Sequence, residues 1–408
     1  MPITDKEWQD LDIKAGTVFT PTRPINQRDV FAGRLSQIRR VIDAVLQAGQ
    51  HAIIFGERGV GKTSLANVIS QFTVSKGTII APVVNCDATD TFSRLWHKIF
   101  RRIGGVRTVT PPGLTAQETT EPYSATDLLK HERIRPDDVE RVLGIISEDA
   151  LVILIVDEFD RLKKVPRRIF ADTIKALSDH AVNATIVLVG VADSVDQLID
   201  EHQSVERALV QIPMPRMSPA EIASILVNGL KQLEMTIEDD ARKRIGLLAQ
   251  GLPHYAHLMG LHATRAAIDA RSTVVKADNV STAIRTAIAD AQQSIRSAYV
   301  AAIVSARKDN LFGDVLLACA LAKTNELGYF AAQDVRERLC EIRNRDYKIA
   351  TFAQHLSDFS GPKRDFILTK KGPMRRIRYR FTDPLMQPFV LMQGSASGKV
   401  APQQLERF

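Results

Sequence analysis

The part of the sequence that predicts chemistry most directly is a glycine-rich loop between a short apolar segment and a predicted helix. Residues 52–55 predict a buried strand, residues 56–63 fit the pattern G-x-x-x-x-G-K-[ST], and residues 64–69 predict the helix. In this context the glycines let backbone N–H groups turn toward phosphate oxygens, and the helix N-terminus adds partial positive charge. The predicted nucleotide-binding residues of the loop are Gly56, Glu57, Arg58, Gly59, Val60, Gly61, Lys62, Thr63 and Ser64.

Two side chains of this loop are predicted to have catalytic or metal-binding roles. Lys62 would reach the β- and γ-phosphates of a nucleotide, and Thr63 would place its hydroxyl on Mg²⁺. An ordinary glycine turn is the alternative interpretation. A chance match to the four constrained positions is expected in about one chain of this length in a hundred, and the strand-to-helix context makes it rarer.

An acidic pair at the end of a long apolar run supplies the second half of a predicted ATPase site. Residues 151–156 are all apolar, which is typical of a strand covered on both faces of a parallel sheet. Asp157 and Glu158 follow, at the strand end where such sheets bind ligands. Asp157 would hold Mg²⁺ directly or through water, and Glu158 would polarise the water that attacks the γ-phosphate. Acids often follow buried strands, but downstream of a phosphate loop this pair predicts ATP hydrolysis.

Composition excludes several other classes of protein. The 408 residues are 45% hydrophobic and 25% charged, which is typical of globular domains. No apolar run approaches the ~18 residues of a membrane span, and the N-terminus has no signal-peptide pattern. The three cysteines form neither a metal-binding spacing nor a disulfide framework. We therefore expect a cytoplasmic protein without a membrane partner.

The order of predicted elements indicates an α/β fold followed by helical and mixed parts. Apolar strands alternate with helices up to about residue 215, which predicts a doubly wound parallel sheet. Residues 104–138 predict a long loop, and residues 78–86 a single strand. Three helical stretches and a hairpin near the C-terminus have the outline of a winged helix. The expected divisions are an irregular lead-in (1–27), a nucleotide-binding core (28–215), a helical lid (216–295), a winged-helix domain (296–393) and a disordered tail (394–408).

The predicted C-terminal hairpin concentrates positive charge. Residues 361–380 contain eight basic residues and one acidic residue, a net charge of +7 that equals that of the whole chain. Apolar residues 377, 379 and 381 alternate with arginines, so the arginines share one face. The pattern predicts contact with the DNA backbone, and a solvated sheet edge protected by its charges is the alternative. The predicted DNA-binding residues are Lys370, Lys371, Arg375, Arg376, Arg378 and Arg380.

Other charged and polar residues have more than one interpretation. Arg207, in Ser204-Val-Glu-Arg207, is either an arginine finger that reaches the nucleotide of a neighbouring subunit or a surface arginine. His254, His257 and His262 share one predicted helix. No cysteine or carboxylate cluster completes a metal site there, so we interpret these histidines as packing or surface residues.

Together these motifs resemble the AAA+ ATPases, in the branch that contains the origin-recognition-type initiators and the STAND proteins. The resemblance covers residues 28–392 and rests on Phe31-Ala-Gly-Arg34, the phosphate loop, Asp157-Glu158, the helical lid and the winged helix. It implies a P-loop AAA+ core with a helical lid and an α+β winged-helix domain. It further implies that Phe31 and Arg34 lie near the adenine, that ATP or ADP binds with Mg²⁺, and that subunits assemble into a homo-oligomer or hetero-complex on ATP binding.

Two positions depart from the pattern of the initiators. Asp193 stands at the sensor-1 position, where the family has Asn, Ser or Thr, so the resemblance assigns that catalytic role to Asp193 or the adjacent Ser194. The lid carries Gly251-Leu-Pro-His254, and its Gly-Leu-Pro is similar to the STAND motif in which the proline, here Pro253, contacts the nucleotide. Both departures predict slow hydrolysis.

The sequence thus predicts an ATP-dependent switch that binds DNA through its winged helix and acts in replication initiation, transposition or defence against mobile elements. The alternative is a STAND-like signalling scaffold, in which the winged helix binds a protein partner or locks the inactive state. A third, weaker possibility is a processive motor such as a helicase loader.

Overall fold

A computed structural model describes residues 3–21, 34–73, 79–109, 119–148, 150–199, 205, 207–306, 310–325, 327–373 and 376–400. The predicted residues Phe31, Ser204 and Arg375 lie outside these ranges. None of the helices within them is both long and apolar enough to cross a membrane.

The centre of the molecule is a six-stranded parallel sheet. Its strands run in the order β2, β6, β7, β1, β8, and β3 also pairs with β6. The strands are β1 (His51–Gly56), β2 (Ile79–Ile80), β3 (Val83–Asn85), β6 (Leu151–Asp157), β7 (Ala184–Val191) and β8 (Leu209–Pro213). The helices that follow or precede them are α2 (Leu35–Val45), α3 (Lys62–Thr73), α4 (Phe92–Arg101), α5 (Pro136–Ser147) and α6 (Lys164–Asp179). The predicted parallel α/β core is confirmed.

Strands β6 and β7 are buried along almost their whole length, as their uninterrupted apolar runs predict. They pair in register from Val152 opposite Ala184 to Val156 opposite Leu188. Strand β7 lies between β6, which ends at Asp157, and β1, which leads into the phosphate loop at Gly56. The sheet therefore brings the two predicted halves of the ATPase site to the same edge.

Two connections differ from prediction. The single strand expected at 78–86 is divided into β2 and β3, because Pro82 has no amide hydrogen to continue the ladder. The Pro82 carbonyl still accepts a hydrogen bond from the Ile155 amide at 3.0 Å. The long loop expected at 104–138 contains an antiparallel hairpin of β4 (Gly104–Val109) and β5 (Thr119–Ser124), so it is partly ordered as a sheet.

The N-terminal segment was expected to be irregular, and this expectation is wrong. Residues Asp5–Val18 form helix α1, which begins with a capping box between Thr4 and Glu7. Phe19, directly after the helix, is 1% exposed and fills a niche between two lid glycines. Ion pairs of Asp12 with Arg265 and of Asp5 with Arg271 attach α1 to the lid. The N-terminus is thus part of the lid.

The lid is helical, as predicted, with one short two-stranded sheet. Its helices are α7 (Pro219–Gln232), α8 (Asp239–Ala249), α9 (Pro253–Asp269) and α10 (Ala277–Ala289), and the strands are β9 (Thr236–Ile237) and β10 (Val274–Val275). A capping box of Ser218 and Glu221 starts α7. Helix α9 begins at Pro253, where a missing amide hydrogen is tolerated.

The C-terminal part has the winged-helix-like order of three helices and a three-stranded antiparallel sheet. After α11 (Gln293–Ile303) come α12 (Phe312–Leu321), β11 (Phe330–Ala331), α13 (Ala332–Arg343), α14 (Ile349–Phe359), β12 (Leu368–Lys371), β13 (Arg378–Phe381) and α15 (Met386–Ala396). The sheet order is β11, β13, β12. Helix α15 extends three residues, 394–396, into the expected disordered tail. Lys399 and Val400 are also packed, through an ion pair to Asp314 and by burial.

One continuous hydrophobic core joins α1, one face of the central sheet, the lid and the C-terminal part. The opposite face of the sheet has its own core under α4, α5 and α6, with Trp96 stacked on Phe170 at 5.4 Å between ring centroids. The lid and C-terminal part are therefore packed onto the same side of the nucleotide-binding core.

Candidate nucleotide-binding site

The phosphate loop has the backbone shape that its glycines predict. Gly59 and Gly61 adopt φ of 85° and 94°, which side-chain-bearing residues rarely adopt. Lys62 starts α3, and its Nζ donates hydrogen bonds to the carbonyls of Gly56 at 3.0 Å and Glu57 at 2.7 Å. Burial lowers the pKa of Lys62 to about 8, against the opposing effect of nearby Asp160 and Asp157. The ammonium is thus held inside the loop and poised for a strongly anionic ligand.

Asp157 lies beside the loop with the properties of a metal ligand. It is 3% exposed, and its Oδ1 accepts the Glu158 amide at 2.7 Å. Its buried Oδ2 has no hydrogen-bond partner among the described residues. Burial raises the pKa of Asp157, although the Thr63 hydroxyl and the Glu158 amide act in the opposite direction. A free carboxylate oxygen next to a threonine hydroxyl fits Mg²⁺, which prefers oxygen ligands.

The catalytic candidate Glu158 is held by a neighbour. Its backbone is left-handed, with φ of 54°, at the start of the 3₁₀ turn Phe159–Arg161. Its Oε2 lies 2.8 Å from Arg161 Nη1, and both side chains are about half exposed. In the same turn, Asp160 Oδ1 accepts the Val191 amide at 2.8 Å and so connects the ends of β6 and β7.

These groups surround a cleft of about 790 Å³. The core contributes the loop from Arg58 to Ser64 without the buried Val60, the segment 157–161 without the buried Phe159, and the end of β7 at 190–191. The lid contributes Pro253, whose ring lies against Gly61, and its contact with the nucleotide stays a prediction. Sequence reasoning assigned no nucleotide-binding role to Asp160 and Arg161, which follow the acidic pair. The same holds for the lining residues from other parts of the chain: Thr20, Pro21, His254, His257, Gln292 and Leu385.

Two of the histidines interpreted as packing or surface groups, His254 and His257, line the cleft. His254 Nδ1 lies 2.8 Å from the Pro21 carbonyl, so the lid and the N-terminal segment are joined at the cleft. His257 is 3% exposed, and neither ring nitrogen has a partner among the described residues. Burial lowers the pKa of His257 to about 4 and also lowers that of His254. Both imidazoles are therefore neutral near pH 7.

Arg34 does not line the cleft. It is 3% exposed, and its guanidinium donates to the carbonyls of Val60 and Pro215. Its backbone amide donates to Glu221 Oε1 at 3.3 Å. Burial lowers the pKa of Arg34, and the Glu221 carboxylate opposes this effect. Arg34 thus connects the phosphate loop to the first lid helix, and its place near the adenine stays a prediction.

The predicted sensor-1 residues lie outside the lining of the cleft. Asp193 Oδ1 is 2.6 Å from Arg380 Nη1, and Asp193 Oδ2 accepts the Tyr329 hydroxyl at 3.3 Å. Ser194 precedes the 3₁₀ turn Val195–Gln197. Arg207 is exposed and also outside the lining, with its carbonyl accepting from the Gln50 side chain. Its role toward a neighbouring subunit stays a prediction.

A buried polar cluster connects the phosphate loop to the C-terminal part. Arg216 donates to Glu57 Oε2 at 3.1 and 3.0 Å, and also to Gln387 Oε1 at 2.6 Å. Gln387 in turn donates to Gln250 Oε1 and to the Ala320 carbonyl. The side chains of Arg216 and Glu57 are only 14% and 6% exposed. The loop, the lid and the winged-helix-like domain therefore share one hydrogen-bonded cluster.

A second contact is apolar. Leu385, just before α15, lines the cleft near Gly59, and its carbonyl accepts a hydrogen bond from the lid residue Tyr255 at 2.7 Å. The C-terminal part thus forms one wall of the nucleotide cleft.

The predicted basic wing is only partly available to a ligand. Lys370, Lys371, Arg376 and Arg378 are exposed, whereas Arg380 is 19% exposed and paired with Asp193. On the opposite face Phe381 is buried, and Tyr379 stacks on Phe330. Lys371 lies directly across the ladder from Arg378. Like charges in this position are unfavourable, and a bound anion would relieve the repulsion.

Comparisons with solved structures give distant similarities over nearly the whole chain. Cdc6p from Pyrobaculum aerophilum is 15% identical, with 94% of this chain and 98% of that chain covered and a TM-score of 0.48. The ORC1 protein of Aeropyrum pernix, solved in complex with DNA, is 15% identical, with 94% and 97% covered and a TM-score of 0.49. The RuvB branch migration motor of Thermotoga maritima is 13% identical, with 89% and 96% covered and a TM-score of 0.44. The comparison with curated proteins gives no match.

The comparison with protein families gives a specific answer. The model described as Novel STAND NTPase 1 matches residues 24–251, which include the phosphate loop, Asp157-Glu158 and the Gly251 of the lid motif. The predicted resemblance to the STAND branch is confirmed. Because the match extends over more than half of the chain and contains the parts of the site described above, this P-loop NTPase belongs to the Novel STAND NTPase 1 family, nSTAND1.

Proposed function

We propose that the protein is an ATP-binding switch that hydrolyses ATP slowly and binds duplex DNA through its winged-helix-like domain. The observation that carries the proposal is the contact between that domain and the phosphate loop. Glu57 of the loop and Gln387 of α15 share Arg216, so a change in the loop on nucleotide binding is transmitted to the domain. Leu385 in the wall of the cleft supports the same coupling.

ATP with Mg²⁺ is the proposed ligand. Lys62 would bind the β- and γ-phosphates, Thr63 and Asp157 would hold Mg²⁺, and Glu158 would orient water. The metal would neutralise charge on the phosphates. The described site lacks a polar sensor-1 side chain in the cleft, because Asp193 is engaged by Arg380. This engagement supports slow turnover in the closed arrangement.

The four exposed basic residues of the wing are the proposed DNA contacts. A wing of this charge suits replication initiation, transposition or defence against mobile DNA. Four phosphate contacts correspond to a slope of roughly −3.6 for log K against log[salt]. The free cysteines, of which Cys86 and Cys319 are buried, are compatible with the proposed cytoplasmic location.

The test is fluorescence anisotropy with duplex DNA, with ATP, ADP or no nucleotide, over a range of salt concentrations. We expect ATP to raise the affinity, and charge reversal at Lys370, Lys371, Arg376 and Arg378 to remove the binding and its salt dependence. Reversal of Lys163 and Lys164, two exposed lysines at the start of α6, is the matched control. Equal DNA affinity of the wing variant and the wild type would exclude the wing as the DNA contact.

The alternative function is a nucleotide-gated scaffold whose winged-helix-like domain is autoinhibitory or binds a protein. The ion pair between Arg380 and Asp193 favours it, since this pair uses a wing arginine inside the molecule. This alternative predicts no salt-dependent DNA binding in any nucleotide state.

Light scattering after size exclusion, with each nucleotide and with or without DNA, would also report the proposed ATP-dependent assembly. In that assembly Arg207 would act as the finger toward the neighbouring subunit.

A further inference from the structure

Arg161 has a position that neither the motif nor the family comparison explains. It ends the 3₁₀ turn Phe159–Arg161 that follows the acidic pair, and its amide donates to the Glu158 carbonyl at 2.9 Å. The turn is fixed from below, because Phe159 is fully buried and packs edge-on against Phe170 at 5.6 Å. Asp160 attaches the turn to the end of β7, because its Oδ1 accepts a hydrogen bond from the Val191 amide. Of the three side chains in the turn, only that of Arg161 is exposed.

The guanidinium of Arg161 holds the proposed water-orienting group. Its Nη1 lies 2.8 Å from Glu158 Oε2, and both side chains line the cleft together with Lys62 and Thr63. The side chains are 51% and 45% exposed. An ion pair this exposed is screened by water and contributes little to stability. It can therefore be exchanged for a better partner without a large loss.

A γ-phosphate would be that better partner. It carries more charge than a carboxylate, and it accepts two parallel hydrogen bonds from a guanidinium. The other cations of the cleft, Lys62 and Arg58, belong to the phosphate loop, whereas Arg161 follows the acids that would face the γ-phosphate. Arg207 lies outside the lining, so within one subunit Arg161 is the arginine on this side of the described cleft.

We propose that Arg161 is a cis-acting catalytic arginine that exchanges Glu158 for the γ-phosphate. With an empty or diphosphate-filled site, Arg161 restrains Glu158. With a triphosphate, the guanidinium moves to the γ-phosphate and releases the carboxylate to orient water. The water oxygen then bonds to the γ-phosphorus, the bond to the β–γ bridging oxygen breaks, and the water proton passes to Glu158. The products are ADP and inorganic phosphate. This inference rests on the proposed ATPase function.

The test uses three proteins: wild type, Arg161→Ala and Arg161→Lys. Calorimetry measures their affinities for ATP and for ADP, and a single-turnover assay measures their rates of ATP hydrolysis. We expect Arg161→Ala to weaken ATP binding about ten-fold, to leave ADP binding unchanged, and to slow hydrolysis a hundred-fold or more, at the modest end of arginine-finger effects. Arg161→Lys keeps the charge but not the bidentate geometry, so it should restore most of the ATP affinity and only part of the rate.

Two further variants separate this role from a structural one. Arg242→Ala removes another exposed i,i+3 ion pair, with Asp239 at 2.9 Å, and should behave as wild type. In a Glu158→Gln background, Arg161→Ala should still weaken ATP binding relative to ADP, because the contact is to phosphate. Equal loss of ATP and ADP affinity, or hydrolysis by Arg161→Ala at or above the wild-type rate, would overturn the inference. Absence of ATP binding by wild type would instead refute the proposed function.

Discussion

Arg380 Nη1 lies 2.6 Å from Asp193 Oδ1, which joins the basic wing to the segment that follows β7. The Tyr329 hydroxyl hydrogen-bonds to the other oxygen of the same carboxylate, and the Arg380 guanidinium lies 4.6 Å from the centre of the Tyr329 ring. The pair therefore removes Arg380 from the proposed DNA surface and Asp193 from the proposed sensor site at the same time.

Breaking this pair should open the winged-helix-like domain. Asp193→Ala leaves Arg380 without its main partner, at a cost of about 1–3 kcal/mol to the closed arrangement. A loss of 1.4 kcal/mol corresponds to a ten-fold change in an equilibrium. We expect release of a fluorescent ADP analogue to be about ten-fold faster, and DNA affinity to rise because Arg380 is freed.

The matched variant separates opening from DNA contact. Arg380→Ala should accelerate ADP release to a similar degree without the gain in DNA affinity. The charge swap, Asp193→Arg with Arg380→Asp, should return ADP release toward the wild-type rate. Arg336→Ala, which removes an ion pair to Asp346 elsewhere in the domain, should change neither property. Unchanged ADP release in both single variants would mean that the pair does not hold the domain closed.

Arg216 should be the more important residue for stability. Its guanidinium satisfies Glu57, which is buried in the phosphate loop, and Gln387 of the C-terminal part. Arg216→Ala leaves an unpaired buried carboxylate, and such changes cost about 3–5 kcal/mol. Thermal unfolding should show a clear decrease in Tm for Arg216→Ala.

The double variant provides the control for this prediction. Adding Glu57→Gln to Arg216→Ala removes the unpaired charge and should recover part of the lost stability. If the two single effects simply add, the ion pair is not the source of the loss.

The parallel sheet, the phosphate loop and the acidic pair Asp157-Glu158 were predictable, because each has a strong pattern in the local sequence. The uninterrupted apolar run at 151–156 predicts a buried parallel strand, and the glycine spacing at 56–61 predicts a phosphate loop. Helix α1 also had a signal that was not used. Thr4 and Glu7 form a capping box three residues apart, followed by apolar Trp8, Leu11, Ala15 and Val18 at helical spacing.

The long-range contacts of the site could not be predicted. Asp193 meets Arg380 across 187 residues of chain, and Arg216 meets Gln387 across 171. Nothing local to either residue specifies its partner. The period-two pattern of the hairpin correctly predicts that Arg378 and Arg380 share a face of β13, but not that Arg376 lies before the strand or that Arg380 packs on the core.

Acid should destabilise the protein partly through His51, the first residue of β1. His51 is fully buried, its Nδ1 accepts the Ile186 amide at 3.0 Å, and burial lowers its pKa from 6.5 to about 4. The unfolded chain therefore binds a proton near pH 6.5 that the folded chain excludes until about pH 4. Stability is lost as the pH falls through this window, by about 2 kcal/mol for this residue between pH 7 and 5.

The measurement is Tm as a function of pH for wild type and His51→Gln, whose side-chain oxygen can still accept the Ile186 amide. The variant should lose less stability between pH 7 and 5, whatever its Tm at pH 7. His131→Gln changes an exposed histidine and should follow the wild-type curve. Parallel curves for His51→Gln and wild type would refute a contribution of His51 to acid sensitivity.

Phe19 should couple the N-terminal helix to nucleotide binding. A Cβ on Gly229 or Gly260 would approach its ring to 2.6 or 2.8 Å, so the two lid glycines form a niche shaped for this side chain. Phe19→Ala leaves a cavity that costs about 3–5 kcal/mol. The next two residues line the cleft, and the Pro21 carbonyl binds His254. We therefore expect Phe19→Ala to lower the Tm and to weaken ATP binding.

Trp8→Ala, at the far end of α1 and 6% exposed, should lower the Tm with a smaller effect on ATP binding. An ATP affinity equal to wild type in a destabilised Phe19→Ala protein would show that α1 supports the lid without shaping the nucleotide cleft.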